Sequence, residues 1–356
     1  MTDKRWKQVG EVLVNYSTEV QPGERVMIAM VEPETFPLAQ AVYEAVVKAG
    51  GYPQVQMLSE RMRRALLKYG SEDQLDWVPE IEAYGMEWAD VYIGLRGGHN
   101  LYELADVSSE RLARNQVAQG KISTMRWQQT RWCLSRVPNE SFAQQAETDL
   151  ETIMDMYFDA CLLDWPAYSQ QWHAQAEKLD QTSEVRIVGK GTDLRFSVEG
   201  RKWLAFDGKI NMPDGEIFTA PVNETLDGYI YFEFPGVLSG RLMHDIRLEW
   251  RNGQLVDATA STNEDYMRRV ISSDEGASLL GEFAFGTNPH VNRFAKDILL
   301  DEKIGGTIHI ALGRAYPECG GTNRSAIHWD IVKDLRTEGA VIIDGQTVLE
   351  NGKLTI

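Results

Sequence analysis

The sequence predicts an α/β protein in two parts: an N-terminal α/β domain with a parallel sheet, and a C-terminal domain that is mainly β (α+β). The chain of 356 residues is longer than one hydrophobic core usually serves. Strand and helix patterns alternate in its first part, whereas short strand patterns between glycine turns fill the second. We place the two domains at residues 1–180 and 181–356.

The elements of the N-terminal domain follow from the spacing of its apolar residues. A helix is predicted from Lys4 to Tyr16, where apolar side chains recur every three or four positions. Strands are then predicted at 26–30, 55–58 and 91–95, with a helix at 37–49. A strand, a helix and a strand with short connections form a βαβ unit, so these strands should run parallel. A helical pattern from Ser141 to about Lys178 is predicted to bridge the domains.

Short strands dominate the prediction for the C-terminal domain. They are predicted at 184–188, 193–198, 228–234, 243–251 and 306–312. Asn252-Gly253, Asp344-Gly345 and Asn351-Gly352 are typical of two-residue hairpin turns. Both central positions of such a turn require a positive φ, which asparagine, aspartate and glycine tolerate. This half is therefore expected to be mainly β.

Composition narrows the classes of function. A formal charge of -17 opposes binding to a phosphate backbone, so nucleic acid is not expected as a partner. No segment has the length of apolar residues that a membrane span needs. The N-terminus lacks the apolar core of a secretory signal, and Cys133, Cys161 and Cys319 form no disulfide or zinc pattern. The expected location is the cytoplasm.

Six polar residues of the second half lie among apolar neighbours: Glu216, Glu282, His309, Tyr316, His328 and Asp330. Burying an unpaired carboxylate is costly, and lysine and arginine are sparse around these positions. Oxygen and nitrogen ligands of these types suit Zn²⁺, Mn²⁺, Fe²⁺ or Co²⁺. In an extended segment, residues two apart such as His328 and Asp330 share a face. The residues therefore predict a divalent-metal site and a metalloenzyme.

Several segments resemble the M29 family of metallo-aminopeptidases. They are GTDLRFSVEGRKW (191–203), NMPDGEIFTAP (211–221), GEFAFGTN (281–288), HIALGRAY (309–316) and NRSAIHWD (323–330). The resemblance implies a dinuclear site of zinc, cobalt or manganese, held by the same six residues, with Glu282 as a bridging ligand that also takes part in catalysis. It also implies a homodimer that removes N-terminal residues from short peptides. Residues 132–139 depart from the family pattern near the domain junction.

Two other functions remain open. The chain also resembles 2,5-dihydroxypyridine dioxygenases, which implies one Fe(II) held by two histidines and a carboxylate, such as His309, His328 and Asp330. A metal-stabilised binding protein without turnover is the third hypothesis, and the many acidic ligands argue against it. Neither a phosphate-binding glycine loop nor a GxSxG nucleophile motif is present in the sequence.

Overall fold

The computed structural model describes residues 3–100, 102–238 and 240–356. Its contacts divide the chain into two compact units, Met1–Trp165 with Gly208–Pro213, and Pro166–Asp207 with Asp214–Ile356. The division into domains at residue 180 stays a prediction, because units of close contact need not be domains that fold separately.

Most helices lie in the first unit. In chain order the helices are α1 (Arg5–Val12), α2 (Phe36–Lys48), α3 (Glu60–Tyr69), α4 (Glu72–Asp76), α5 (Glu80–Trp88), α6 (Ser109–Gln129), α7 (Glu140–Gln145), α8 (Leu150–Cys161), α9 (Trp165–Leu179), α10 (Glu264–Ile271) and α11 (Ile298–Asp301). The predicted first helix continues beyond α1 as a π-helical turn, Leu13–Ser17. Short 3-10 turns occur at Pro33–Thr35 and Pro317–Cys319.

Strands occur in both units. In chain order they are β1 (Arg25–Val31), β2 (Tyr52–Leu58), β3 (Val91–Arg96), β4 (Arg131–Arg136), β5 (Glu184–Gly189), β6 (Thr192–Ser197), β7 (Leu204–Phe206), β8 (Asn211–Met212), β9 (Glu216–Thr219), β10 (Val222–Tyr231), β11 (Gly236–Leu238), β12 (Arg241–Met243), β13 (Arg247–Arg251), β14 (Gln254–Thr259), β15 (Leu280–Gly286), β16 (Ile308–Gly313), β17 (His328–Lys333), β18 (Gly339–Ile343), β19 (Gln346–Glu350) and β20 (Lys353–Leu354).

The first unit contains the predicted parallel sheet. Its strand order is β2-β1-β3-β4-β8, and every neighbouring pair is parallel. Ile28 at the centre pairs with Val55 on one side and with Ile93 on the other. Ile28 and Ile93 are fully buried, as expected for strands covered on both faces. The α/β prediction for this part of the chain is confirmed.

The helical pattern after Ser141 is divided among α7, α8 and α9 instead of forming one bridge. Glu147 has a φ of 55°, which an α-helix does not contain, and the Asp149 side chain then accepts a hydrogen bond from the Thr152 amide as the cap of α8. Pro166 lies in the first turn of α9, where its missing N–H costs nothing. Local backbone chemistry therefore breaks a continuous apolar periodicity.

The second unit consists mainly of antiparallel sheets, so the prediction that this half of the chain is mainly β is confirmed. An eight-stranded sheet has the order β14-β13-β10-β6-β5-β18-β19-β20, and a five-stranded sheet has the order β17-β16-β15-β9-β7. Each of the three predicted hairpin turns joins two paired strands, and their asparagine or aspartate has a φ of 47° to 50°. The predicted strand 243–251 is interrupted at Asp245, whose φ is 52°. Two shorter strands, β12 and β13, result.

Aromatic side chains connect the two large sheets. The Phe283 ring on β15 lies 5.2 Å from that of Phe196 on β6, and the Trp203 ring stacks on Phe285 at 5.8 Å. Side chains alternate along a strand, so Glu282 and Ala284 point to the opposite face of β15. The apolar core on one face of this strand thus fixes which residues are presented on the other.

Candidate metal centre

Neighbouring strands of the five-stranded sheet present two predicted ligands side by side. Asp330 on β17 pairs with Ala311 on β16, and Ala311 is partnered by Glu282 on β15. Paired residues in an antiparallel sheet project to the same face. The two carboxylates therefore stand on one face of the sheet, with only a methyl group between them.

Two more predicted ligands share this face. His309 on β16 pairs with Ala284, which pairs in turn with Phe218 on β9. Glu216 precedes Phe218 by two residues and so points to the same side. Ala284 and Ala311 are completely buried. Their small side chains leave room between the larger polar groups.

Tyr316 lies beside the site rather than in the sheet. Its ring packs edge-on against the His328 imidazole, with the ring centroids 5.4 Å apart. His328 is oriented from the other side of its ring, since its Nδ1 lies 2.7 Å from the Arg314 carbonyl oxygen. That contact fits a protonated Nδ1 and leaves Nε2 free to face the carboxylates.

The polar side chains form two groups, and within each group the candidate ligand atoms all lie within 4.8 Å of one another. We call Glu216, Glu302 and His309 the first half-site. We call Glu282, His328 and Asp330 the second half-site. Five of the six predicted residues fall in these groups, and the sixth, Tyr316, borders the second.

Glu282 connects the half-sites. Its Oε1 lies 3.4 Å from His309 Nε2, and its Oε2 lies 3.3 Å from His328 Nε2. His309 Nε2 is also 3.4 Å from Glu216 Oε2, and His328 Nε2 is 3.4 Å from Asp330 Oδ1. One carboxylate therefore faces both imidazoles through separate oxygens, as a bridging ligand would.

The site fits divalent metal ions by the chemistry of its unsatisfied atoms. Among the described residues, Glu216 Oε2, Asp330 Oδ1 and both ring nitrogens of His309 are buried without a hydrogen-bond partner. Buried polar atoms are almost always satisfied in folded proteins. Carboxylate oxygens and imidazole nitrogens are ligands for zinc, cobalt, manganese and iron.

Two charged residues at the site are absent from the sequence prediction. Glu302 belongs to the first half-site, and Lys303, the next residue, is fully buried against it. Lys303 Nζ lies 2.6 Å from Glu216 Oε1, 2.9 Å from Glu302 Oε1 and 3.1 Å from Asp214 Oδ1. The premise that basic residues are sparse around the ligands is therefore wrong at this position. The only signal in the sequence is a run of three charged residues directly before Ile304-Gly305-Gly306.

Contacts among these charged groups lower the pKa of Glu282 and raise the pKa of His309 and His328. Burial by itself raises the pKa of Glu282, but the contacts with His309 and His328 outweigh it and lower that pKa to about 2. Burial lowers the pKa of both imidazoles, whereas the adjacent carboxylates raise it to about 9 for His309 and about 12 for His328. Burial raises the pKa of Glu216 well above its ordinary value, and Lys303 opposes this only in part.

Tyr316 remains a neutral phenol beside these groups. Burial and the negative charges of Glu282 and Asp330 raise its pKa above the ordinary value. At neutral pH its hydroxyl therefore carries a proton and can donate a hydrogen bond.

The remaining histidines have other neighbours. His99 Nδ1 lies 2.7 Å from Glu34 Oε1, and His173 Nε2 lies 3.3 Å from Asp207 Oδ2. His244 contacts Thr262, and His290 is exposed. None of the four belongs to a group of candidate metal ligands among the described residues.

No helix in the described part of the chain combines the length and apolar character that crossing a membrane requires.

The chain matches the sequence profile of the thermophilic metalloproteases (M29) over residues 2–353. It is 27% identical to Aminopeptidase T of Thermus aquaticus over an alignment of 302 positions, which covers 72% of each chain. It is 24% identical to Aminopeptidase 2 of Geobacillus stearothermophilus over an alignment of 402 positions, which covers 97% of this chain and 95% of that protein.

Two solved structures share the fold. Wild-type AmpT from Thermus thermophilus superposes with a TM-score of 0.88 at 22% identity over 99% of both chains. A 2,5-dihydroxypyridine dioxygenase from Pseudomonas putida KT2440 superposes with a TM-score of 0.64 at 15% identity, over 98% of this chain and 96% of the other. At these identities the two structures establish the architecture alone.

Proposed function

This chain belongs to the thermophilic metalloprotease family M29, and we propose that it is a metal-dependent aminopeptidase with a dinuclear site. Membership in this peptidase family makes the protein a hydrolase. The relatives named aminopeptidases support the finer assignment to removal of N-terminal residues. The proposed metal ligands are the six residues predicted from the sequence, Glu216, Glu282, His309, Tyr316, His328 and Asp330, together with Glu302.

The balance of buried charge is the observation that carries the dinuclear proposal. Among the described residues, the two half-sites and Asp214 contain five carboxylates, and the ammonium of Lys303 lies among them. With the imidazoles neutral and the carboxylates ionised, the net charge is about -4, which two divalent cations would neutralise. A single ion would leave a buried excess of negative charge.

In the proposed reaction, the metal ions and the protein side chains have different roles. Bound divalent metals would polarise the scissile carbonyl and acidify a water molecule. Glu282 faces both half-sites and is suited to hold the proton that this water loses. The Tyr316 hydroxyl can donate a hydrogen bond to an oxygen of the substrate. Phe206, Phe218 and Tyr316 pack together as an aromatic wall, which favours substrates with an apolar first residue.

Hydrolysis of leucine amide and phenylalanine amide by metal-loaded protein tests the activity. The N-acetylated amides are the matched substrates, because an aminopeptidase requires the free amine and should leave them intact. His328→Ala is expected to abolish turnover, while His290→Ala, which changes an exposed histidine outside both half-sites, should retain it. Normal rates in the His328 variant would remove this residue from the site.

A ring-cleaving dioxygenase is the alternative, and the shared fold with the dioxygenase structure supports its consideration. Such an enzyme holds one Fe(II) with two histidines and one carboxylate. Here each half-site has one histidine and two carboxylates, which favours hydrolysis. Elemental analysis of protein purified without added metal separates the two functions. About two zinc, cobalt or manganese ions per chain support the peptidase, and one iron with oxygen-dependent ring opening would replace it.

We also propose a homodimer formed through the first unit. An exposed apolar surface covers α2 and the edge strand β2, where Phe36, Tyr43 and Val47 are 56%, 45% and 54% exposed. With Val55 these side chains line a cavity of about 630 Å³. An edge strand beside apolar surface is suited to pairing with a second copy.

Sedimentation equilibrium tests this assembly. Val47→Glu should shift the protein toward monomer, whereas Val256→Glu, which alters an equally exposed valine of the second unit, should not. A monomeric wild type would refute the dimer, and a dimeric Val47 variant would refute this surface as its interface.

We further propose a cytoplasmic location, supported by the three cysteines, which are all buried and reduced. Fractionation of the producing cells tests it, and recovery with exported proteins would refute it.

A further inference from the structure

We propose that Lys303 is a positioning residue that makes the two half-sites unequal, so that the second half-site binds a divalent metal more tightly than the first. The inference rests on the proposed metal-dependent function. Lys303 Nζ lies next to carboxylate oxygens of Glu216 and Glu302 that a metal ion would otherwise use.

Lys303 is held in place by three carboxylates, of which those of Asp214 and Glu216 are buried. Its side chain is 0% exposed, and its Nζ lies 2.6 to 3.1 Å from oxygens of Glu216, Glu302 and Asp214. A buried lysine keeps its charge only when anionic partners compensate for the loss of water. With three such partners the group is a fixed cation directly behind the first half-site.

The ammonium group occupies oxygens that a metal ion would otherwise use. Glu216 Oε1 faces Lys303, while Glu216 Oε2 is buried without a hydrogen-bond partner and faces His309 Nε2 at 3.4 Å. One oxygen of Glu302 is likewise next to Lys303. These two ligands of the first half-site therefore offer one oxygen each to an ion, which would also experience repulsion from the adjacent ammonium.

In the part of the chain that the structure describes, the second half-site has no such competitor. Glu282 Oε2 and Asp330 Oδ1 lie 3.3 and 3.4 Å from His328 Nε2. Within the described ranges, neither carboxylate has a lysine or arginine within ion-pair distance. The ammonium of Lys303 therefore does not compete for the oxygens that face His328, so this half-site should fill at the lower metal concentration.

Asp214 also compensates the charge of the Lys303 ammonium, from outside both half-sites. It contacts Lys303 at 3.1 Å but is not among the candidate ligand atoms of either half-site. Removing its charge should leave the ammonium less compensated and more strongly bound to Glu216 and Glu302. Neutralising Lys303 and neutralising Asp214 should therefore change the affinity of the first half-site in opposite directions.

The experiment is a zinc titration of the metal-free full-length protein in competition with a chromophoric chelator, with equilibrium dialysis to count the bound ions. Wild type should bind two ions in steps at least about 10-fold apart. Asp330→Asn should remove the tight step, and Glu302→Gln the weak one. Loss of a partner behind a metal ligand typically changes affinity by about 10- to 100-fold. Lys303→Met should tighten the weak step by about that factor, and Asp214→Asn should weaken it.

Lys333→Met is the matched control, because Lys333 is also fully buried and paired with a carboxylate, Glu233, but lies outside both half-sites. Equal affinities in wild type, or a Lys303 variant that titrates as this control does, would overturn the inference while leaving the peptidase intact. If Lys303→Met does not fold, Asp214→Asn decides: an unchanged or tighter weak step overturns the inference. Failure of wild type to bind any divalent metal would instead refute the proposed function.

Discussion

Replacing Glu282 by glutamine should destabilise the metal-free second unit by about 3 kcal/mol at pH 7. The folded protein lowers the pKa of this carboxyl from 4.5 to about 2, because His309 and His328 contact its two oxygens. At about 1.4 kcal/mol per pH unit, the difference corresponds to about 3 kcal/mol of stabilisation of the ionised form. Glutamine keeps the shape of the side chain and removes the charge.

Differential scanning calorimetry of chelator-treated protein measures this loss. For a unit of this size, about 3 kcal/mol corresponds to a decrease in melting temperature of roughly 6–12 °C. Glu350→Gln is the control, since this glutamate of the same unit is exposed on β19, and its change should be within about 0.5 kcal/mol. A Glu282 variant that melts within about 2 °C of wild type would refute the electrostatic argument.

The pH dependence provides a second check. A carboxyl with a lowered pKa in the folded state contributes its full stability above its unfolded pKa and loses it as the pH falls toward the folded value. The difference between wild type and Glu282→Gln should therefore be constant from pH 7 to about 5 and decrease below about 4.5. A difference that grows on acidification would contradict the assigned sign.

Three other outcomes follow from the structure. Zinc binding to the metal-free protein at pH 7 should release at least about two protons, because the pKa values of His309 and His328 are about 9 and about 12 and burial also raises the pKa of Glu216. Calorimetry in buffers of different ionisation enthalpy counts the released protons. Gly215→Ala should cost about 2–4 kcal/mol in urea unfolding, since φ is +129° and a Cβ would lie 2.9 Å from the Trp172 ring. Gly200→Ala, with a positive φ but open space around it, should cost only about 1 kcal/mol. The buried thiols of Cys133, Cys161 and Cys319 should react with a thiol reagent only after unfolding.

Local chemistry accounts for the parts of the fold that the sequence predicts. The run of apolar residues around Ile28 predicts a strand, and Asn252-Gly253 predicts a turn. Each pattern extends over only a few residues. Sheet order has no such signal. The two-residue strand β8 pairs with β4 from more than seventy positions along the chain, and nothing in Asn211-Met212 itself predicts that partner. Such pairings depend on the packing of the whole unit.

The candidate ligands were predictable because each polar residue interrupts an apolar segment. Glu282 and His309 lie in strands that are otherwise entirely apolar or glycine, so their burial follows from the strand prediction. Their assignment as ligands is still a proposal. Glu302 lacks this contrast, since charged residues flank it on both sides and a glycine pair follows. A charged run of this kind is typical of an exposed turn.

Burial of Lys303 depends on a glycine in strand β15. A Cβ at Gly286, the last residue of β15, would clash with the backbone carbonyl of Ile304. Because that side chain is missing, the segment after α11 lies directly against the strand, and the Gly306 amide donates a hydrogen bond to the Gly286 carbonyl. The close approach excludes water from Lys303 and brings its ammonium to Glu216. In the sequence, Gly286 and Gly306 are two separate glycines, and their contact cannot be predicted from either one. The burial of the Lys303 ammonium beside the first half-site is therefore evident only from the structure.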